Sequence, residues 1–182
     1  MCGIAGIISR DIDSRKIFVE NMSNKLDHRG PDNKGIWEND IITLGHTRLS
    51  IIDLSANGNQ PMISPSGRYI IVFNGEIYNS KEIKKKIINN SNLIWKGHSD
   101  TEVLLNSIET IGIEETLKVC RGMFAFGIWD EKEKSLIIAR DRIGEKPIYF
   151  GSDSNKFFFA SELKALREIK NFEFSLNSEA VN

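Results

Sequence analysis

The chain opens MCGIAGIISR (residues 1–10), which sets a cysteine directly behind the initiator methionine and at the head of an apolar run. Loss of Met1 would leave Cys2 carrying a thiol and a free α-amine on one residue. An α-amine titrates at roughly 7.7 to 8 and a thiol near roughly 8.5, so the amine can take the thiol's proton at physiological pH. Together they make a nucleophile and its base. The same cysteine can equally begin a buried strand over Cys2 to Ser9, because free cysteine packs well in cores. The stretch by itself leaves both readings open.

The 182 residues are 40% hydrophobic and 27% charged, with a formal net charge of -1. This is a soluble chain of one-domain size with a substantial core. The charge balance gives no support for nucleic acid as a partner. Cys2 and Cys120 are the two cysteines. A chain of this length does not need a disulfide, which points to a reducing compartment. No basic lead precedes a cleavable apolar stretch, and no segment reaches the length of a membrane span. The sequence therefore predicts a cytoplasmic protein without a membrane partner.

Periodicity predicts a helix from about Ser14 to Asp27, with Ile17, Phe18, Met22 and Leu26 toward the core. HRGPD (28–32) breaks it, and short strands follow at 35–37 and 41–46. The polar stretch 54–67 reads as a loop. RYIIVFNGEIYN gives a strand from Arg68 to Phe73 ending in a turn at Asn74-Gly75. Helical spacing recurs over 80–90 and from Asp100 to Ile111, and Met123 to Trp129 suggests a strand covered on both faces. A strand follows the EKEKS turn, PIYF and FFFAS pair, and Ser161 reads as the cap of a last helix. The balance is an α+β fold with sheets buried beneath helices.

Several residues carry two readings each. Arg48 is a strand-edge rim residue or a fork for a carboxylate. Asn74-Gly75 is a turn, or a side-chain amide and a backbone N–H that hold an oxyanion. Asp100 shares with Ser99 the default role of helix cap, or it accepts a substrate ammonium. One site made of Cys2, Arg48, Asn74, Gly75 and Asp100 would need no metal. It would grip both ends of a zwitterionic amino acid and attack an amide at its far end.

MCGIAG, HRGPD, HTRLSIIDLS (46–55), NQPM (59–62), FNGEIYN (73–79), GHSDTEV (97–103), GMFAFGIWD (122–130) and RDRIGEKPIYF (140–150) occur in that order. Together they resemble the glutaminase domain of the asparagine synthetases, which are class II glutamine amidotransferases of the N-terminal-nucleophile kind. The resemblance implies a four-layer αββα sandwich over residues 1–170. It implies Cys2 as nucleophile toward the glutamine amide, with its own α-amine as base. Asn74 and Gly75 would form the oxyanion hole. Arg48 would hold the α-carboxylate, Asp100 with Glu76 the α-ammonium, and Ile52 would contribute through its backbone. His28 would orient, Cys120 would be core, and Arg140, Asp141 and Arg142 would form a structural or inter-domain charge cluster.

The resemblance also sets expectations beyond the site. No cofactor is expected for this domain; ATP and magnesium belong to a C-terminal synthetase domain, and residues 171–182 resemble the start of a linker to it. The partners implied are glutamine and that synthetase domain, and a homodimer is compatible with the resemblance. The ammonia acceptor is aspartate, or a sugar or other acid in some members. A silent regulatory module of the same fold would be expected to lack one of Cys2, Arg48, Asn74 or Asp100, and all four are present.

Overall fold

The structure is a computed structural model and describes residues 1–88, 93 and 95–170. The opening apolar run forms β1 (Gly3–Ser9), the centre of a five-stranded antiparallel sheet. The sheet is completed by β2 (Asn33–Glu38), β3 (Ile42–Arg48), β8 (Tyr149–Ser152) and β9 (Lys156–Ala160), in the order β2-β3-β1-β9-β8. A four-stranded antiparallel sheet stacks on it, made of β4 (Met62–Ile63), β5 (Tyr69–Ile77), β6 (Gly122–Asp130) and β7 (Ser135–Arg140), in chain order. Helices α1 (Ile12–Asn24) and α5 (Leu163–Leu166) cover the first sheet. Helices α2 (Ser80–Ile88), α3 (Asp100–Ile111) and α4 (Ile113–Val119) cover the second.

Strand alternation sorts the apolar side chains into three cores. Ala5 and Ile7 pack with Val19, Met22 and Leu26 beneath α1. Ile4 points the other way and meets Leu44, Ile70, Val72 and Trp129 between the sheets. Ile71, Phe73 and Ile77 pack with Ile83, Leu104 and Ile108 on the far side. The layers run helix, sheet, sheet, helix, as the αββα expectation requires. Among the described residues no helix is long and apolar enough to cross a membrane. The expected linker at 171–182, and residues 89–90 of the expected second helix, lie outside the described residues.

Local expectations are corrected at four places. Helix α1 starts at Ile12, because the Asp11 carboxylate accepts from Ser14 N–H and caps it, and Ile17 faces solvent. Ser161 is not a cap: its hydroxyl accepts from Ile4 N–H at 2.9 Å, which fastens the head of β1 to the end of β9. The stretch 54–67 holds a 3-10 turn at Ala56–Gly58 and the short β4. Most consequentially, Asn74-Gly75 is not a turn. β5 pairs with β6 without a break from Tyr69 opposite Asp130 to Ile77 opposite Gly122. A Cβ on Gly75 would overlap the Met123 carbonyl, so glycine is there for close strand approach.

The charged run after β7 is structural. Asp141 is buried and accepts from the backbone N–H groups of Phe124, Ile143, Glu145 and Lys146. Arg142 donates to the carbonyls of Leu117, Lys118 and Cys120, and so satisfies the C-terminal end of α4.

The fully buried Phe159 lies across Gly6 on the neighbouring β1 and against Gly127 on the opposing β6. A Cβ at Gly127 would stand 2.5 Å from the ring. Gly127→Ala is expected to lose about 1–3 kcal/mol by overpacking. Urea unfolding should show partial recovery in Gly127→Ala/Phe159→Leu, which trims the ring; a simply additive loss would place the strain elsewhere.

Candidate active site

The inter-sheet face of each strand carries the site. Gly3 pairs with Thr47, so continuing that register by one sets Cys2 opposite Arg48. On β3 the row Ile42, Leu44, His46, Arg48 points toward the second sheet, and on β5 the row Ile70, Val72, Asn74, Glu76 points back. Where the two rows open, one cavity is lined by Cys2, Arg48, Ile52, Asn74, Gly75, Glu76 and Asp100. All seven residues singled out in the sequence meet there.

The Cys2 thiol is half-buried, faces the Leu49 carbonyl at 3.7 Å and accepts from Leu49 N–H at 3.4 Å. Burial pushes the thiol up, against the Leu49 hydrogen bond and the Arg48 charge. A thiol so placed needs a proton acceptor to react. None of the three histidines lines the cavity. His28 is exposed and lies 3.0 Å from Glu162, and His98 faces Asp53 at 3.4 Å from the surface. His46 is fully buried, its Nε2 3.1 Å from the Phe73 carbonyl, and desolvation lowers its pKa to about 4. Met1 does line the cavity, with Sδ 3.6 Å from Lys146 Nζ and 3.9 Å from Arg29 Nη2.

Arg48 is shared between fold and site. Nη1 donates to Ser55 O at 2.8 Å and Asn59 Oδ1 at 2.7 Å, and Nη2 donates to Asp53 O. Three of its five N–H groups thus hold the loop after β3, and the other two make no hydrogen bond among the described residues. The Asp53 carboxylate closes that loop. It accepts from Ser55 hydroxyl at 2.6 Å and His98 N–H at 3.0 Å, which bring its pKa down to about 2.

At the head of α3, Ser99 is the cap, its hydroxyl accepting from Glu102 N–H at 3.2 Å. Asp100 instead turns inward, where its carboxylate accepts from Ile77 N–H at 2.8 Å and Thr101 N–H at 3.0 Å. Burial raises its pKa despite these bonds. A buried carboxylate facing a cavity is suited to receive a cation.

The placement of the donors expected at Asn74 and Gly75 follows from strand geometry. Phe73 N–H donates to Gln60 Oε1 and Ile77 N–H to Asp100, so residues 73, 75 and 77 all turn their main-chain groups to the open edge of β5. Gly75 N–H lies between them, at the cavity wall. Beside it the Asn74 side-chain nitrogen is buried and has no partner among the described residues. Buried donors are seldom left so.

Sequence patterns did not single out four residues that organise the site. Arg29 Nε donates to the Cys2 carbonyl at 2.8 Å while Nη1 pairs with Glu162 at 2.8 Å. Asp53 and Gln60 hold loops, and His46 reaches across the sheets. Their motifs, HRGPD, IIDLS, NQPM and GHTR, were the available signal.

A family model for the glutamine amidotransferase domain matches residues 1–182. The chain is 39% identical over 201 residues to a putative glutamine-hydrolysing asparagine synthetase 2 of Methanocaldococcus jannaschii, covering 100% of this chain and 38% of that protein. It is also 39% identical over 178 residues to amidase chry2 of Gibberella zeae, covering 91% of this chain and 26% of that protein. The chain therefore spans well under half the length of these relatives. Among solved structures, the glutamine phosphoribosylpyrophosphate amidotransferase of B. subtilis shares the fold, with TM-score 0.78 and 23% identity over 91% of this chain and 43% of that one.

Stability should fall on acidification in two stages. His46 is held near 4 in the fold against 6.5 ordinarily, so the unfolded chain binds more protons between those values and stability declines as pH drops through that window. Asp53 and Glu162, both lowered to about 2, add a second loss below about 4.5. Asp100, raised by burial, opposes this only just above its ordinary value. Urea midpoints at several pH values should show the first stage flattened in His46→Gln; an unchanged slope would assign the acid sensitivity to another group.

Proposed function

The chain belongs to the glutamine amidotransferase domain family, and from that premise we propose that Cys2 opens the glutamine side-chain amide while Arg48 and Asp100 hold the amino-acid end. The domain is a glutaminase of the asparagine synthetase type. One observation carries the residue assignments: a half-buried thiol, an unpartnered buried amide, an arginine with unspent donors and a buried carboxylate face one cavity.

In the reaction Met1 has been removed and the α-amine of Cys2 takes the thiol proton. The sulfur bonds to the amide carbon, and the carbonyl π pair moves to oxygen, where Asn74 Nδ2 and Gly75 N–H receive it. Collapse of this intermediate breaks the C–N bond, and the α-ammonium returns its proton to the leaving nitrogen, releasing ammonia. Water then adds to the thioester and displaces the thiol, giving glutamate. Arg48 pairs with the α-carboxylate. Asp100 and Glu76 receive the α-ammonium, and the Ile52 backbone completes the wall.

Residues 1–170 form this domain in the proposal, and 171–182 begin a linker to an ATP-dependent synthetase domain that consumes the ammonia. Aspartate is the proposed acceptor, in keeping with the name of the methanogen relative. A non-aspartate acceptor is the second reading, and the similarity to a protein named amidase chry2 favours keeping it. A thiol nucleophile suits a reducing cytoplasm.

Cys2→Ala should abolish ammonia release while the fold persists. Arg48→Ala and Asp100→Ala should chiefly raise KM, whereas Asn74→Ala should lower kcat on the order of 10²–10³-fold. A glutamine-like electrophile should label Cys2 and spare Cys120, which is fully buried and pushed up to about 11. Turnover should need no ATP, and aspartate with ATP should yield no amide from residues 1–182 alone. Undiminished turnover in Cys2→Ala, or label confined to Cys120, would overturn the assignment.

A further inference from the structure

β5 outruns its outer neighbour. β4 covers it only at Ile70 and Ile71, so from Phe73 onward the outer edge of β5 has no strand beside it among the described residues. Two buried side chains serve Phe73 instead. Gln60 Oε1 accepts its N–H at 2.6 Å, and His46 Nε2 lies 3.1 Å from its carbonyl. A carbonyl only accepts, so Nε2 carries the proton and Nδ1 is bare; Nδ1 is buried and has no partner among the described residues. Gln60 Nε2 in turn donates to Thr101 Oγ1 at 3.3 Å, next to Asp100.

Resting on the glutaminase reading, we propose that His46 and Gln60 are positioning residues that set the oxyanion hole by clamping Phe73, the residue before Asn74. The clamp reaches from two directions. His46 stands two residues before Arg48 on the opposing sheet, and Gln60 ends the loop that Arg48 holds and touches the first turn of α3. The oxyanion donors are thereby fixed relative to the groups that hold the two ends of the substrate. An edge strand can satisfy its main chain with water. Here two polar side chains are buried for the purpose, and one leaves a ring nitrogen unpartnered, which costs desolvation that packing alone does not require. A misplacement of about 1 Å at such donors is worth on the order of 10² in rate.

The test uses the full chain with Met1 removed, comparing wild type with Gln60→Leu, His46→Leu and His46→Gln. The readouts are kcat and KM for glutamine, affinity for glutamate, and affinity for glutamate γ-semialdehyde. The aldehyde forms a hemithioacetal with Cys2 whose oxygen occupies the oxyanion hole. Gln60→Leu and His46→Leu should lower kcat on the order of 10²-fold and weaken the aldehyde in parallel, with KM and glutamate affinity nearly unchanged. His46→Gln, which keeps an N–H donor, should recover much of both. Unchanged kcat, equal weakening of aldehyde and glutamate, or no difference between His46→Gln and His46→Leu would overturn the proposal. If His46→Leu does not fold, Gln60→Leu decides by the same two ratios. Failure of the wild type itself to release ammonia would instead overturn the glutaminase reading.

Discussion

The structure depends on a mismatch of strand lengths. β5 has nine residues and β4 has two, so one edge of the second sheet is left with main-chain groups that burial does not permit to stay bare. Each answer to that constraint is a piece of the site. Gln60 and His46 satisfy Phe73, and Asp100 satisfies Ile77. Gly75 lies between them, lines the cavity and turns its N–H to the same open edge. The unfinished edge of the sheet is thus the feature from which the proposed oxyanion hole is made.

A second dependence runs through Arg48. Its side chain is buried, and a buried guanidinium needs several acceptors to offset its lost hydration. Carbonyls of the loop after β3 and Asn59 supply them, so the loop folds around the arginine. Asp53 then fastens the same loop to the segment before α3 through His98 N–H. The holders proposed for the two ends of glutamine are therefore joined by short hydrogen-bonded links. A shift at either end would be felt at the other, which is how a small cavity can measure the length of its ligand.

What could be read from sequence was the regular part. Alternation and helical spacing placed most strands and helices, because burial of one face dictates both periods. The four-layer arrangement came from the resemblance, not from periodicity. The Asn74-Gly75 error is instructive. That dipeptide favours a hairpin turn locally, but nine consecutive pairings with β6 override the preference. Ser161 misled for a similar reason, since its hydroxyl serves a backbone group 157 residues away. The clamp on Phe73 was invisible because His46 and Gln60 meet it across 27 and 13 residues. No local pattern marks a polar side chain whose partner is a distant main-chain atom.

The proposed chemistry rests on the chain terminus although three histidines are available. A histidine near the thiol would have to be partly solvated and free at one nitrogen. His46 is fully buried, its protonated nitrogen faces Phe73 and its protonation is strongly disfavoured, so it cannot accept a proton cheaply. His28 faces Glu162 away from the cavity, and His98 is exposed, pairs with Asp53 and does not itself line the cavity. The nitrogen of Cys2 itself is two bonds from the carbon bearing the sulfur and needs no loop to position it. While Met1 is attached that nitrogen is a planar amide whose lone pair is delocalised and is no base. Freed, it becomes an amine that titrates near neutrality beside a thiol that burial has pushed up. In the proposed reaction, the sheets and loops position the substrate and the oxyanion, and removal of one residue creates the base.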